Sequence, residues 1–177
     1  HYAYYGSWRL PYDIPENIKE NIFKSEYIWF SHGHPDHINH DSLNFFKNNK
    51  ILISNHFGSR IYNDFKLENL KVQILEDRKW INLSKNISVM SIISNIQDSI
   101  LLIRVDNDVF INLNDAGPYS SKFIKKTVSK FRRKFLLSIA TFEADMLNFF
   151  DENNNFIKPA ISEKFSAGKY LSILANI

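Results

Sequence analysis

The chain has 177 residues, 44% of them hydrophobic and 15% aromatic, which suits one globular domain with a real core and excludes intrinsic disorder. A net charge of +3 is a mild basic bias that admits anionic substrates without requiring them. Cysteine is absent, so thiolate-ligated zinc, iron–sulfur clusters and disulfides are excluded within this stretch, and no apolar run reaches membrane-spanning length.

The aromatic-rich start, residues 1 to 11, reads as the end of an edge hairpin, and Glu16 to Lys24 as a short amphipathic helix. Tyr27-Ile28-Trp29-Phe30 is short, aromatic and β-branched, the signature of a buried strand. Directly after it comes His32-Gly33-His34-Pro35-Asp36-His37, three imidazoles and one carboxylate in six residues. These side chains bind borderline divalent metals such as zinc or iron. A strand-to-loop turn points His32 and His34 to one side and lets Asp36 and His37 swing to the other, which supplies two half-sites from one loop.

Asn39 or Asp41 caps a helix running to about Lys47, with Leu43 and Phe46 inward. Lys50–Ser54 is a second buried strand, Gly58–Phe65 a helix, and Val72–Leu75 and Lys79–Leu83 further strands. Ile87–Ile93 leads to a hairpin in which Ser99–Val105 turns through Asp106-Asn107-Asp108 into Val109–Asn114. Ala116-Gly117-Pro118 breaks that last strand just after Asp115. A basic helix over Tyr119–Arg132 and a buried strand over Phe135–Ala140 follow. Strand runs succeeded by strand–helix alternation predict an α/β sheet sandwich flanked by helices. The termini read as lying inside a longer protein, with one domain over 1–177 incomplete at both ends.

The pattern H-x-H-x-D-H resembles the signature of the metallo-β-lactamase-fold superfamily of metal-dependent hydrolases and oxygenases. The resemblance implies an αββα sandwich in which His32 and His34 serve one metal and Asp36 and His37 a second. Val109-Phe110-Ile111-Asn112-Leu113-Asn114-Asp115 resembles the element whose terminal Asp bridges the two metals, so Asp115 joins the ligand set; its alternative role is a turn residue capping the next helix. The superfamily also places a histidine just before the later hairpin. Here that loop holds none, and Ser94 or Asn95 stands in its place, each a weaker zinc ligand than imidazole, with Asn95 also a candidate substrate contact. A further family histidine, nearer the C-terminus, has no counterpart between Phe135 and Ile177.

His56 follows the strand ending at Ser54 and emerges beside the metal loop, as a substrate contact, a replacement ligand or an ordinary loop residue. His40 is a surface histidine at a helix start or a substrate contact. The basic cluster Lys122, Lys125, Lys126, Lys130, Arg132, Arg133 and Lys134 reads as a solvated helix face, the alternative being contact with a phosphate-rich partner.

Within the superfamily, Trp29 to His37, Asp98 to Ile103, Phe110 to Ala116 and Lys134 to Ser138 are similar to the branch of CMP-N-acetylneuraminate hydroxylase and related sugar-nucleotide hydroxylases. Three functions follow. The first is a hydrolase using hydroxide from metal-held water on an ester, amide or phosphodiester bond, with Asp36 and Asp115 as catalytic carboxylates. The second is an iron-dependent oxygenase acting on a nucleotide sugar. The third is a degenerate, non-catalytic relative. The implied cofactor is one or two ions of zinc or iron. The implied partner is a small-molecule substrate, a nucleotide sugar or other anionic compound, in the cytoplasm, with no membrane or nucleic-acid partner.

Overall fold

The computed structural model describes residues 2–3, 8–9, 11–94, 98–116, 120–138, 149–150, 153, 155–157, 172–173 and 175–177. Strands β1 (Tyr2–Ala3) and β2 (Trp8–Arg9) pair antiparallel, where the edge hairpin is expected. Helix α1 spans Glu16–Lys24 and strand β3 spans Tyr27–Phe30. Helix α2 (His40–Leu43) opens on Asn39, whose side chain accepts from the Asp41 amide, and continues as a 3-10 turn over Asn44–Phe46. Strand β4 (Lys50–Ser54), helix α3 (Arg60–Leu67) and strand β5 (Lys71–Leu75) follow. Strands β6 (Trp80–Asn82), β7 (Ile87–Ile93), β8 (Ser99–Val105) and β9 (Asp108–Asn114) lead to helix α4 (Ser121–Val128) and strand β10 (Arg132–Ser138). A short antiparallel pair, β11 (Phe149–Phe150) and β12 (Phe156–Ile157), comes last.

Two sheets form the body. β3, β4 and β5 are parallel, joined by crossovers carrying α2 and α3. β6 to β9 are antiparallel neighbours, and β10 returns alongside β9 in parallel after α4. Alternation along the strands decides which residues go between the sheets. Val89 on β7 and Leu101 on β8 face Leu52 on β4 and Leu75 on β5, with Tyr27, Trp29, Ile81 and Ile103 packed round them. One residue out of phase, Met90, Ile92, Ile100 and Leu102 turn to the opposite face, where α4 covers them with Ile124 and Val128. On the far side of the small sheet, Ile51 and Ile53 meet Leu43 of α2 and Phe65 of α3. Helices, sheet, sheet, helix: this is the αββα sandwich.

The apolar layer between the sheets ends in a polar tie, Ser54 Oγ to Ser91 Oγ at 2.5 Å. Beyond it, the carboxyl ends of β3, β4 and β9 and the amino end of β8 come together. No helix among the described residues is long and apolar enough to cross a membrane. The basic helix is shorter than its charge pattern predicts, because Arg132 already pairs with Asp108 at 2.7 Å as β10 begins. Lys122, Lys125, Lys126, Lys130, Arg132 and Arg133 are exposed, as a solvated face requires.

Candidate metal centre

At the end of β3, Ser31 and His32 are buried, and the next residues climb out to solvent through a turn in which the His37 and Ile38 amides both donate to the His34 carbonyl. That turn brings His34 and His37 to either side of His32. His32 Nε2 lies 2.7 Å from His34 Nδ1, and the His32 and His37 rings are 4.2 Å apart between centroids.

The larger sheet supplies the carboxylates. Asp115, one residue past β9, sets Oδ2 2.9 Å from His37 Nε2 and 3.9 Å from His32 Nε2. Asp98, just before β8, is 4% exposed and places Oδ1 3.4 Å from His32 Nδ1. Two donor groups result, His32–His34–Asp98 and His32–His37–Asp115, with His32 common to both. Asp36 reaches the cluster through His37, 3.3 Å from its Nε2, and belongs to neither trio.

Donor chemistry and spacing fit a divalent ion. Ligand atoms about 2.0–2.2 Å from a tetrahedral metal are themselves roughly 3.3–3.5 Å apart. The His37–Asp115 and His32–Asp115 separations of 2.9 and 3.9 Å bracket that value. One donor atom from each member of either trio lies within 4.8 Å of the others, and oxygen and imidazole nitrogen suit zinc or iron. Electrostatics point the same way. Burial, reinforced by the neighbouring His37 and His34, pushes the His32 pKa down to about 4, which keeps its ring neutral as a metal ligand must be. Burial raises the Asp98 carboxyl above its ordinary value, against a smaller opposing pull from His34.

Behind the donors, Ser31 is held by residues of β8 and β9 and by the loop after β4. Its carbonyl accepts from Ser99 Oγ at 2.5 Å and from His56 Nε2 at 3.1 Å, and its hydroxyl accepts from Asn114 Nδ2 at 2.7 Å. The same hydroxyl lies 3.0 Å from His32 Nδ1. Asn114 adopts φ 48°, a left-handed conformation that Asn tolerates better than most residues, and this bend carries the chain from β9 into Asp115.

Asp98 is the residue that motif reading passes over. The superfamily pattern directs attention to a histidine before the hairpin, whereas here the available donor is a carboxylate at the very start of β8. An ionisable residue opening the apolar run Ser99–Ile103 was the signal that could have found it. Ser94 meets Asp98 through its backbone, its amide donating to the Asp98 carbonyl at 2.8 Å, and Asn95 lies outside the described residues. His56 is buried and given over to the Ser31 carbonyl, outside both donor trios; because a carbonyl only accepts, its proton is on Nε2. His40 is exposed at the start of α2, apart from the trios.

The layering, with a His-rich loop at the end of β3 and an Asp at the end of β9, agrees with the arrangement that the sequence resemblance implies. No family model and no curated protein matches the chain. Among solved structures, it is similar to the CmlA beta-hydroxylase E377D mutant, with a TM-score of 0.47 and 14% identity over 58% of this chain and 23% of that one. It is also similar to a diphosphatase from the PhnP family, with a TM-score of 0.38 and 17% identity over 60% of this chain and 46% of that one. The chain thus spans less than half the length of either structure.

Proposed function

We propose that this chain carries the metal centre of a metal-dependent hydrolase acting on an ester, amide or phosphodiester bond. The observation that carries the reading is Asp115, whose Oδ2 faces His37 at 2.9 Å and His32 at 3.9 Å, a carboxylate within reach of two imidazoles. His32, His34 and Asp98 would hold one ion, and His37 and Asp115, with Asp36 alongside, a second. A divalent ion here would supply an activated water near neutral pH and polarise a substrate oxygen. The protein's own part is to orient. Asp36 and Asp115 accept hydrogen bonds from an attacking water and align it, and buried His32 and Asp98 keep bulk water from one side.

A second reading, an iron-dependent oxygenase acting on a nucleotide sugar, draws on the same His32–His34–Asp98 donor set. Two imidazoles and one carboxylate with open positions is a donor set that iron(II) oxygenases use. Zinc hydrolases also use two histidines and a carboxylate, so the set alone does not choose.

The deciding experiment is elemental analysis of protein loaded with zinc and iron(II), with assays on p-nitrophenyl acetate and bis-p-nitrophenyl phosphate beside oxygen consumption. Zinc retention with turnover supports the hydrolase. Iron retention with oxygen uptake replaces it by the oxygenase, and a chain that holds no metal under saturating conditions overturns both.

A further inference from the structure

Arg60, the first residue of α3, packs its guanidinium over Gly33, the residue between His32 and His34. A Cβ on Gly33 would stand 2.7 Å from Arg60 Nη2 and 3.3 Å from Ile61 Cδ1, so only glycine leaves room for the guanidinium in this place. Arg60 is exposed and makes no hydrogen bond or ion pair among the described residues. That is unexpected for a cation beside a cluster with three carboxylates. Asp36 and Asp115 are turned to His37, and Asp98 to His32. Among the described residues the guanidinium therefore lies against the metal loop without a countercharge, and its planar fork of donors is uncommitted to them.

We propose that Arg60 is a substrate-binding residue that takes a phosphate group of the substrate at the rim of the metal centre. The inference rests on the proposed centre and narrows its substrates to phosphate esters. A guanidinium matches phosphate with two parallel hydrogen bonds, and its charge adds to that of any ions beside it. Its position against Gly33 would set the phosphate beside the loop that carries His32 and His34.

The test is calorimetric titration of inorganic phosphate into wild-type, Arg60→Gln, Arg60→Lys and Gly33→Ala proteins, each metal-loaded and each after chelator treatment. Metal content is measured alongside. Arg60→Gln should weaken phosphate about ten-fold at unchanged metal content, the loss expected for one charge-assisted pair. Arg60→Lys should fall between, keeping the charge without the fork. Gly33→Ala should reproduce part of the loss, since the far end of a flexible side chain is what must move. Equal phosphate affinity in wild type and Arg60→Gln, or Arg60-dependent binding of acetate with none of phosphate, overturns the proposal. A wild type that takes up no metal yet binds phosphate in an Arg60-dependent way removes the metal-centre reading and leaves the anion site standing.

Discussion

The Asn114 side-chain amide donates to the Ser31 hydroxyl at 2.7 Å, so the residue before one carboxylate donor holds the residue before one imidazole donor. Through Ser31 Oγ, 3.0 Å from His32 Nδ1, Asn114 fixes the ring that both donor trios share. Outer partners of this kind typically govern metal affinity by 10–100-fold. Asn114→Gly is the informative variant, because glycine accepts φ 48° and only the amide is lost. Metal affinity, read by chelator competition, should fall about ten-fold. Unchanged affinity would mean that the ring is held by packing alone.

In the proposed centre, Asp98 is the carboxylate that would set which ion the first trio prefers. Asp98→Asn should lower metal content, because the amide is a weaker donor and leaves the buried site without its charge. Asp98→His should instead build a set of three imidazoles and move selection towards zinc. Competitive loading with zinc and iron(II), followed by elemental analysis, reads both effects. An unaltered ratio in Asp98→His would show that Asp98 touches no ion. His37→Ala, on the other side of His32, should abolish uptake in the second trio while its effect on the first is smaller.

Acid sensitivity of the metal-free protein follows from His32. Its folded pKa of about 4 lies below the ordinary histidine value, so the unfolded chain binds the extra proton between the two. Stability from this group is therefore full above about pH 6.5 and is lost as pH falls towards about 4. Over that window the loss is on the order of 3 kcal/mol. Burial shifts His56 in the same direction and adds to the slope. Thermal melts from pH 7.5 to 4 should show the decline, and His32→Asn should flatten it. A profile indifferent to His32 would contradict the assignment.

The hydroxyl pair Ser54–Ser91 crosses the seam between the sheets, where both side chains are buried. Ser91→Ala alone should cost about 1–3 kcal/mol, because the Ser54 hydroxyl loses its partner in a dry place. The double change to alanine should cost less than the sum of the single ones. Urea unfolding of the four proteins completes the cycle, and strict additivity would show that the bond contributes nothing.

Much of this molecule is legible residue by residue. The apolar runs Tyr27–Phe30, Lys50–Ser54, Ile87–Ile93 and Ser99–Val105 are strands over the spans their composition predicts; the last three are largely buried on both faces, whereas Tyr27–Phe30, expected to be buried, is half-buried throughout. Helix ends are less legible. α3 begins at Arg60 and not Gly58, since Gly58 and Ser59 take positive φ to turn the chain after β4. The helix expected up to Lys47 tightens to a 3-10 turn after Leu43, although Leu43 and Phe46 do face inward. The ligand loop announces itself through local spacing. Asp98 and the hold of His56 on Ser31 do not, because both depend on how β8 and β4 sit against β3, a long-range relation that no short motif records. The helix carrying Lys122, Lys125 and Lys126 shows the converse: its charge is plain in the sequence and has no visible task beyond facing water.

The donors come from both halves of the sandwich, imidazoles from the loop after β3 and carboxylates from the ends of β8 and β9. His37 and Asp115 are 78 positions apart along the chain. An ion gripped by both would act as a rivet through the two sheets, closing a long loop much as a disulfide does in proteins that have thiols to spare. In a cysteine-free chain, removing that ion would open the sandwich first at the end where the chemistry sits.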